Sequence, residues 1–138
     1  MSETERFLEE MLPRQLEAEE AIHVGDVEPR SRVWSHEDPV TLFGALGPCV
    51  SGWEDIRKTF EWIATQFAPV KTYDFELIAA GASGDLAYTV GYERSTFPDD
   101  AYEPKVVRVT HVYRRENGVW MIVHRHGDLQ PVDQTAAS

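Results

Sequence analysis

At 138 residues, 42% of them hydrophobic, the chain has enough material for one domain with a single core and too little for two of ordinary size. Its 24 acidic and 13 basic residues leave a net charge of −11, which repels a phosphate backbone, and no basic stripe with interleaved aromatics offsets it, so nucleic acid is excluded as a partner. No run of about 18 apolar residues is present to span a bilayer, MSETERFLEE is acidic where a secretory leader is basic and then apolar, and the single Cys49 can form no internal disulfide, so a cytoplasmic protein with no membrane partner is expected.

Ser2 and Glu5 have capping-box spacing, and Phe7, Leu8, Met11, Leu12, Leu16 and Ile22 recur at near-helical intervals, which predicts an amphipathic helix over residues 3–24, kinked or restarted at Pro13. Seven of the first twenty residues are Glu, read as a solvated helix face. Gly25 and Asp26 end this helix, and Asp26 can cap a short second one running to about Trp34. VTLFGAL, from Val40 to Leu46, suits a short strand bounded by Gly47 and Pro48. A second capping box, Ser51 with Glu54, opens a clearer helix whose Trp53, Ile56, Phe60, Ile63 and Phe67 form one apolar face until Pro69.

Four stretches then alternate with period 2: VKTYDFELI from Val70, LAYTVGYERSTF from Leu86, KVVRVTHVYRR from Lys105 and VWMIVHRH from Val119. Gly81 to Gly84, Pro98-Asp99-Asp100 and Asn117-Gly118 separate them as turn signals. Helices followed by a meander of long antiparallel strands define an α+β fold with the sheet curling around the helices, over residues 1–130, followed by a short tail at 131–138.

The segment Ser35-His36-Glu37-Asp38-Pro39-Val40 sets a histidine and two carboxylates ahead of a proline, where the second helix gives way to the strand. It admits two readings. A desolvated Asp38 can act as acid or base, or the carboxylate simply shapes a chain that Pro39 forces to be extended. By alternation Arg108, Thr110 and Val112 share one strand face, Trp120, Ile122, His124 and His126 another, and Tyr88 and Tyr92 a third. His124 and His126, about 6.5 Å apart at the usual strand rise, permit a metal pair, but a site needs a third ligand and support around it. No metal or cofactor is expected. Trp34, Trp62 and Trp120 can be core or ligand platform, whereas Trp53, Phe60 and Ile63 read as core.

Several of these pieces together carry a family resemblance: Trp34-Ser35 with Asp38-Pro39-Val40-Thr41-Leu42-Phe43-Gly44, Gly52-Trp53, the run from Arg108 to Arg115, and Gly118-Val119-Trp120-Met121-Ile122-Val123-His124-Arg125-His126. Over about residues 5–130 the chain resembles the SnoaL-like group of the nuclear-transport-factor-2-like (ketosteroid isomerase-like) superfamily. The resemblance implies a cone whose strongly curved antiparallel sheet wraps about three N-terminal helices around a pocket, in a homodimer. It does not fix a reaction, because one fold hosts many functions. Ketosteroid isomerases of that superfamily keep their general base in an Asp-Pro-Val segment, which Asp38 matches. Their oxyanion donors, a Tyr on the first helix and a protonated Asp on the penultimate strand, fall at Ala18 and Thr110, so steroid isomerisation by the same means is not expected.

The resemblance also makes the face carrying Thr110 the pocket face. Asp38, His126 and Arg108 are then the candidate catalytic residues, with Arg108 pairing a substrate carboxylate or Asp38 and His126 donating to an oxyanion. Trp34, His36, Tyr88, Tyr92, Thr110, Trp120 and His124 are the candidate ligand-binding residues, around a small, largely apolar organic molecule. Val107, Val109, Tyr113, Met121 and Val123 would face outwards against a second copy. Two rivals stand beside proton transfer of isomerase, cyclase or hydrolase type: a non-catalytic ligand-binding or association module, and a metal enzyme using His36, Asp38 and the two late histidines.

Overall fold

The computed structural model describes residues 1–66, 70–98 and 102–130. The chain begins with α1 (Glu3–Ile22), and the predicted capping box is in place: Glu5 N–H donates to Ser2 Oγ at 3.1 Å and Ser2 N–H to Glu5 Oε1 at 3.3 Å. The helix runs on through Pro13. Phe7, Met11, Gln15, Ala18, Glu19 and Ile22 form its buried stripe, so two of the seven-Glu segment's neighbours in the core are polar. A short α2 (Glu28–Val33) follows; Asp26 does not bond at the helix start as its cap residue, which is Val27, but its Oδ1 accepts the Glu28 N–H at 3.2 Å.

The strand expected over Val40–Leu46 is shorter, β1 (Thr41–Phe43), and hairpins onto β2 (Cys49–Ser51), a strand too brief for alternation to reveal. Ser51 thus belongs to β2, Gly52 turns at φ +92°, and Glu54 bonds Arg57 instead of closing a capping box on α3 (Trp53–Gln66). Phe67 and Pro69 lie outside the described residues, as do Asp99 and Asp100. The meander of four strands is as expected: β3 (Thr72–Ser83), β4 (Leu86–Thr96), β5 (Lys105–Glu116) and β6 (Val119–Leu129); β3, β5 and β6 run past their expected ends, and β3 continues through Gly81 to Ser83, where a turn was expected. Asn117 and Gly118, both at positive φ, make the two-residue turn joining β5 to β6.

All six strands form one open sheet in the order β2-β1-β6-β5-β4-β3, antiparallel except where β1 lies parallel to β6. Irregularities between Leu77 and Ala79 on β3 and opposite Val112 and Tyr113 on β6 bend the long strands towards the helices. Gly91 permits the close β3–β4 approach, since a Cβ there would sit 2.3 Å from the Glu76 carbonyl oxygen. The core lies between the concave face and the helices. Phe7 meets Tyr113 and Trp120 edge-on at 4.8 and 5.0 Å, and Trp34 meets Phe60 at 5.4 Å.

Which face looks inward differs from the expectation. Ala87, Thr89, Gly91, Glu93 and Ser95 on β4, and Val109, His111 and Tyr113 on β5, are buried against the helices, so Arg108, Thr110 and Val112 point to the outer face. Period 2 separates the two faces of a strand without saying which is covered, and both faces of β5 mix apolar and polar residues. Val109, Tyr113 and Val123, expected outside, are 3%, 0% and 8% exposed. On β6 the pairing steps from Val112↔His124 to Tyr113↔Ile122, leaving Val123 as the extra residue. Trp120 and Ile122 therefore face the core, while His124 and His126, expected on their side, face outwards.

Candidate functional site

The concave face buries a polar cluster where an apolar core would otherwise continue. Gln15 and Glu19 enter from α1, Arg30 from α2, Glu93 and Thr89 from β4, His111 and Tyr113 from β5 and Arg125 from β6; all are less than a tenth exposed. Glu19 falls on the buried stripe of α1, four residues after Gln15 and three before Ile22.

Two Arg–carboxylate forks organise the cluster. Arg30 donates through Nε and Nη2 to the two Glu19 oxygens at 3.2 and 2.7 Å, and Arg125 through Nη1 and Nη2 to the two Glu93 oxygens at 3.1 and 2.6 Å. Arg125 Nη1 also lies 3.7 Å from Glu19, tying the forks together. The Tyr73 hydroxyl donates to Glu93 Oε2 at 2.9 Å, and His23 Nδ1–H donates to the Glu19 carbonyl at 2.6 Å. Burial alone would raise the Glu19 pKa, but the charges of Arg30 and Arg125 outweigh it and hold the carboxyl well below the usual range. Burial would likewise lower the Arg125 pKa, and Glu93 and Glu19 reverse this and raise it.

His111 stays neutral, because burial first and Arg125 second push its pKa well below the ordinary value. Arg125 only donates, so its contact at 3.3 Å makes His111 Nε2 an acceptor and puts the ring proton on Nδ1. Nδ1 lies 3.4 Å from the Gln15 amide, whose oxygen must then face it. The same amide bonds the Tyr113 hydroxyl, which meets Thr89 Oγ1 at 2.9 Å. Burial raises the pKa of both Tyr113 and Tyr73. Both carboxylates of the cluster are thus held by guanidinium forks, so neither is free to act as a base.

Beside this cluster opens a cavity of about 60 Å³. Its walls are apolar, including Leu42, Ile63 and Phe97, and its polar lining comes from His23, Arg30, Glu93, Ser95, Lys105 and Arg125. That is more than the roughly 10–15 Å³ a single water needs and well below the ~300–1,000 Å³ of pockets for drug-sized ligands, so it suits a very small molecule and not a steroid.

Most of the expected site residues lie elsewhere. Trp34 and Trp120 are core, at 0% and 3% exposed. His36 is exposed, stacked on Trp53 at 3.8 Å, with Nε2–H donating to the Ser31 carbonyl at 2.9 Å. Asp38, joined to Pro39 by a cis peptide, is exposed and lines no part of the cavity. The segment's anchoring falls to Ser35, whose Oγ donates to Glu116 at 2.7 Å and accepts from Arg114 at 3.1 Å and from the Glu37 N–H at 3.1 Å. Tyr92, Arg108, Thr110 and His126 do come together, but in a groove on the outer face, where Arg108 is forked onto Asp128 at 2.8 Å through both nitrogens. Tyr88 stands 45% exposed on the same face, and His124 bonds Thr41 Oγ1 at 2.7 Å with its ring 6.4 Å from that of His126. Burial, then His126, lowers the His124 pKa. His36 and Asp38 are not part of this group, so the four residues of the metal reading do not converge.

Residues 16–131 match the family model described as the SnoaL-like domain. Among solved structures, a candidate calcium/calmodulin-dependent protein kinase type II association domain from Thiobacillus denitrificans superposes with a TM-score of 0.77 at 17% identity, over 88% of this chain and 95% of that one. A candidate ketosteroid isomerase from Parabacteroides distasonis gives 0.69 at 18% identity, covering 88% and 86%. An NTF2-like protein of unknown function from Pseudomonas putida gives 0.69 at 24%, covering 94% and 92%. These likenesses show the fold. Among curated proteins none matches the sequence.

Proposed function

We propose that this chain, which belongs to the SnoaL-like family, binds a small organic molecule in the cavity beside its buried charge cluster and performs no proton transfer on it. One observation carries the reading: apolar walls and a few polar side chains surround an interior cavity in which the one lining carboxylate, Glu93, and both lining guanidinium groups are already engaged in Arg–carboxylate forks. Glu93 accepts from Arg125 and Tyr73, Glu19 is forked on Arg30, and the exposed Asp38 lies away from the cavity, so the role matched to it by resemblance finds no substrate site beside it. Isobutanol is a suitable neutral probe. Its addition to isotopically labelled protein is expected to give saturable amide shifts around Ser95, Phe97 and Val107, abolished by Ser95→Leu, which fills the cavity. Shifts absent there in well-folded protein contradict the reading.

A second reading, compatible with the first, is assembly as a homodimer through the outer sheet face. Exposed Ile78, Leu86 and Tyr88 on that face support it, as does the likeness to a protein named as an association domain. Sedimentation equilibrium at micromolar concentration is expected to give a dimer that the pair Ile78→Asp and Tyr88→Glu converts to monomer; a wild-type monomer would overturn it. The exposed, unpaired Cys49 fits a reducing cytoplasm.

A further inference from the structure

Resting on the cavity reading above, we infer that the ligand is a short-chain monocarboxylate. The unsatisfied groups of the lining point to it. Arg30 has a side chain only 4% exposed and spends Nε and Nη2 on Glu19. Its Nη1 makes no hydrogen bond among the described residues, and it is not sealed in protein either, since Trp34 Nε1 is the one wholly buried side-chain nitrogen or oxygen there without a partner. A guanidinium nitrogen bearing two N–H groups, on a residue that lines a mostly apolar cavity, calls for an acceptor that the described residues do not supply. Ser95 adds a second such group: it is 7% exposed, lines the same cavity, and its hydroxyl has no protein partner among the described residues.

Charge narrows the class. With histidines counted as neutral, Arg30, Arg125 and Lys105 stand against Glu93 in the lining and Glu19 behind it, leaving one formal positive charge among the described residues around the cavity in a chain whose net charge is −11. His111 adds none, being buried beside Arg125 with its Nε2 accepting from it. The surplus resides on Lys105, half-buried, with Nζ 5.5 Å from the Phe97 ring and no ion pair among the described residues. One surplus charge balances a monoanion and leaves a dicarboxylate or a phosphate dianion uncompensated in a desolvated site. A carboxylate is also acceptor-only, which suits a lining whose unmet groups are a guanidinium nitrogen, a hydroxyl and an ammonium. Size completes the assignment. A cavity far below the ~300–1,000 Å³ of drug-sized pockets confines the acid to a short tail, against Leu42, Ile63 and Val107.

Calorimetric titration with isobutyrate, isobutyramide and succinate tests this directly, since the amide matches the acid in shape and the diacid carries the second charge. Isobutyrate is expected to bind at least about tenfold more tightly than either. Arg30→Lys keeps a cation for Glu19 but removes the third nitrogen of the fork, and is expected to weaken isobutyrate about tenfold while leaving isobutyramide within about twofold. Should Arg30→Lys fail to fold, Ser95→Ala and Lys105→Gln each probe the same selectivity from side chains that make no hydrogen bond or ion pair among the described residues. Equal binding of acid and amide would overturn the carboxylate assignment and leave the cavity reading standing. No binding of any of the three, together with no isobutanol shifts, would remove both. Tighter binding of succinate would overturn the single-charge argument.

Discussion

Replacing Arg125 by leucine removes the guanidinium of one fork and its contact to the carboxylate of the other. In the native chain Arg125 is 7% exposed and Glu93 2%, their oxygens and nitrogens 2.6 and 3.1 Å apart, with Glu19 a further 3.7 Å from Nη1. The leucine leaves the buried Glu93 with the Tyr73 hydroxyl as its one donor among the described residues, and leaves His111 Nε2 without the donor that met it. Breaking a buried pair from one side costs about 3–5 kcal/mol, largely the penalty of the charge left behind. Against a total of about 5–15 kcal/mol for a domain, the variant is expected to be marginal at 25 °C. Removing the second charge as well, in Arg125→Leu with Glu93→Leu, takes away that penalty and should recover at least about 1 kcal/mol despite deleting more polar contacts. Urea unfolding followed by tryptophan fluorescence gives both numbers from a common slope. A loss below about 1 kcal/mol for the single variant, or a double variant less stable than the single one, would refute the claim that the forks are a desolvated, mutually dependent unit.

Between pH 7 and pH 5 the unfolded chain takes up a proton at His111 that the folded chain refuses, since the folded pKa lies well below the ordinary 6.5. Stability is therefore complete above that value and falls as pH drops, by at most about 2 kcal/mol at pH 5; His111→Gln should remove most of the slope in thermal melts, and an unchanged slope would exclude His111 as its source. Glu19 acts in the same sense further down, its contribution present above the ordinary carboxylate value of 4.5 and lost below it. Gly91→Ala drives a Cβ to within 2.3 Å of the Glu76 carbonyl, which is backbone and cannot swing aside; a loss of about 1–3 kcal/mol is expected in chemical denaturation, and a neutral substitution would mean that β3 and β4 separate freely there. Asp38→Asn, at an exposed turn, should change isobutanol or isobutyrate affinity by less than about twofold; a large loss in calorimetry would return Asp38 to the site.

Long-range order was legible where one signal had no competitor. Ser2 with Glu5, the apolar stripe of α3 and the Asn117-Gly118 turn each have one local interpretation, and each stands in the structure. Face assignment failed because it rested on a matched position, Thr110, on a strand whose two faces are almost equally mixed. His111 alternates with Val109 and Tyr113, and Arg125 with Val123, which were expected outside, and the interior that holds both is assembled from five separate elements. Glu19 was hidden differently. It sits among seven glutamates, and its place on the Phe7, Met11, Gln15, Ile22 stripe was the one signal that set it apart from Glu17 and Glu20. The bulge at Val123, which turns Trp120 and the late histidines to opposite sides, leaves no mark in alternation because both sides of the strand remain plausible.

The direct test of the cavity as the functional site is amide shift mapping with isobutyrate on uniformly ¹⁵N-labelled protein. The account predicts saturable shifts centred on Ser95, Phe97, Lys105 and Leu129, with Tyr92, Thr110 and His126 on the outer face unmoved. Shifts centred on that outer groove, or none at saturating acid, would contradict it.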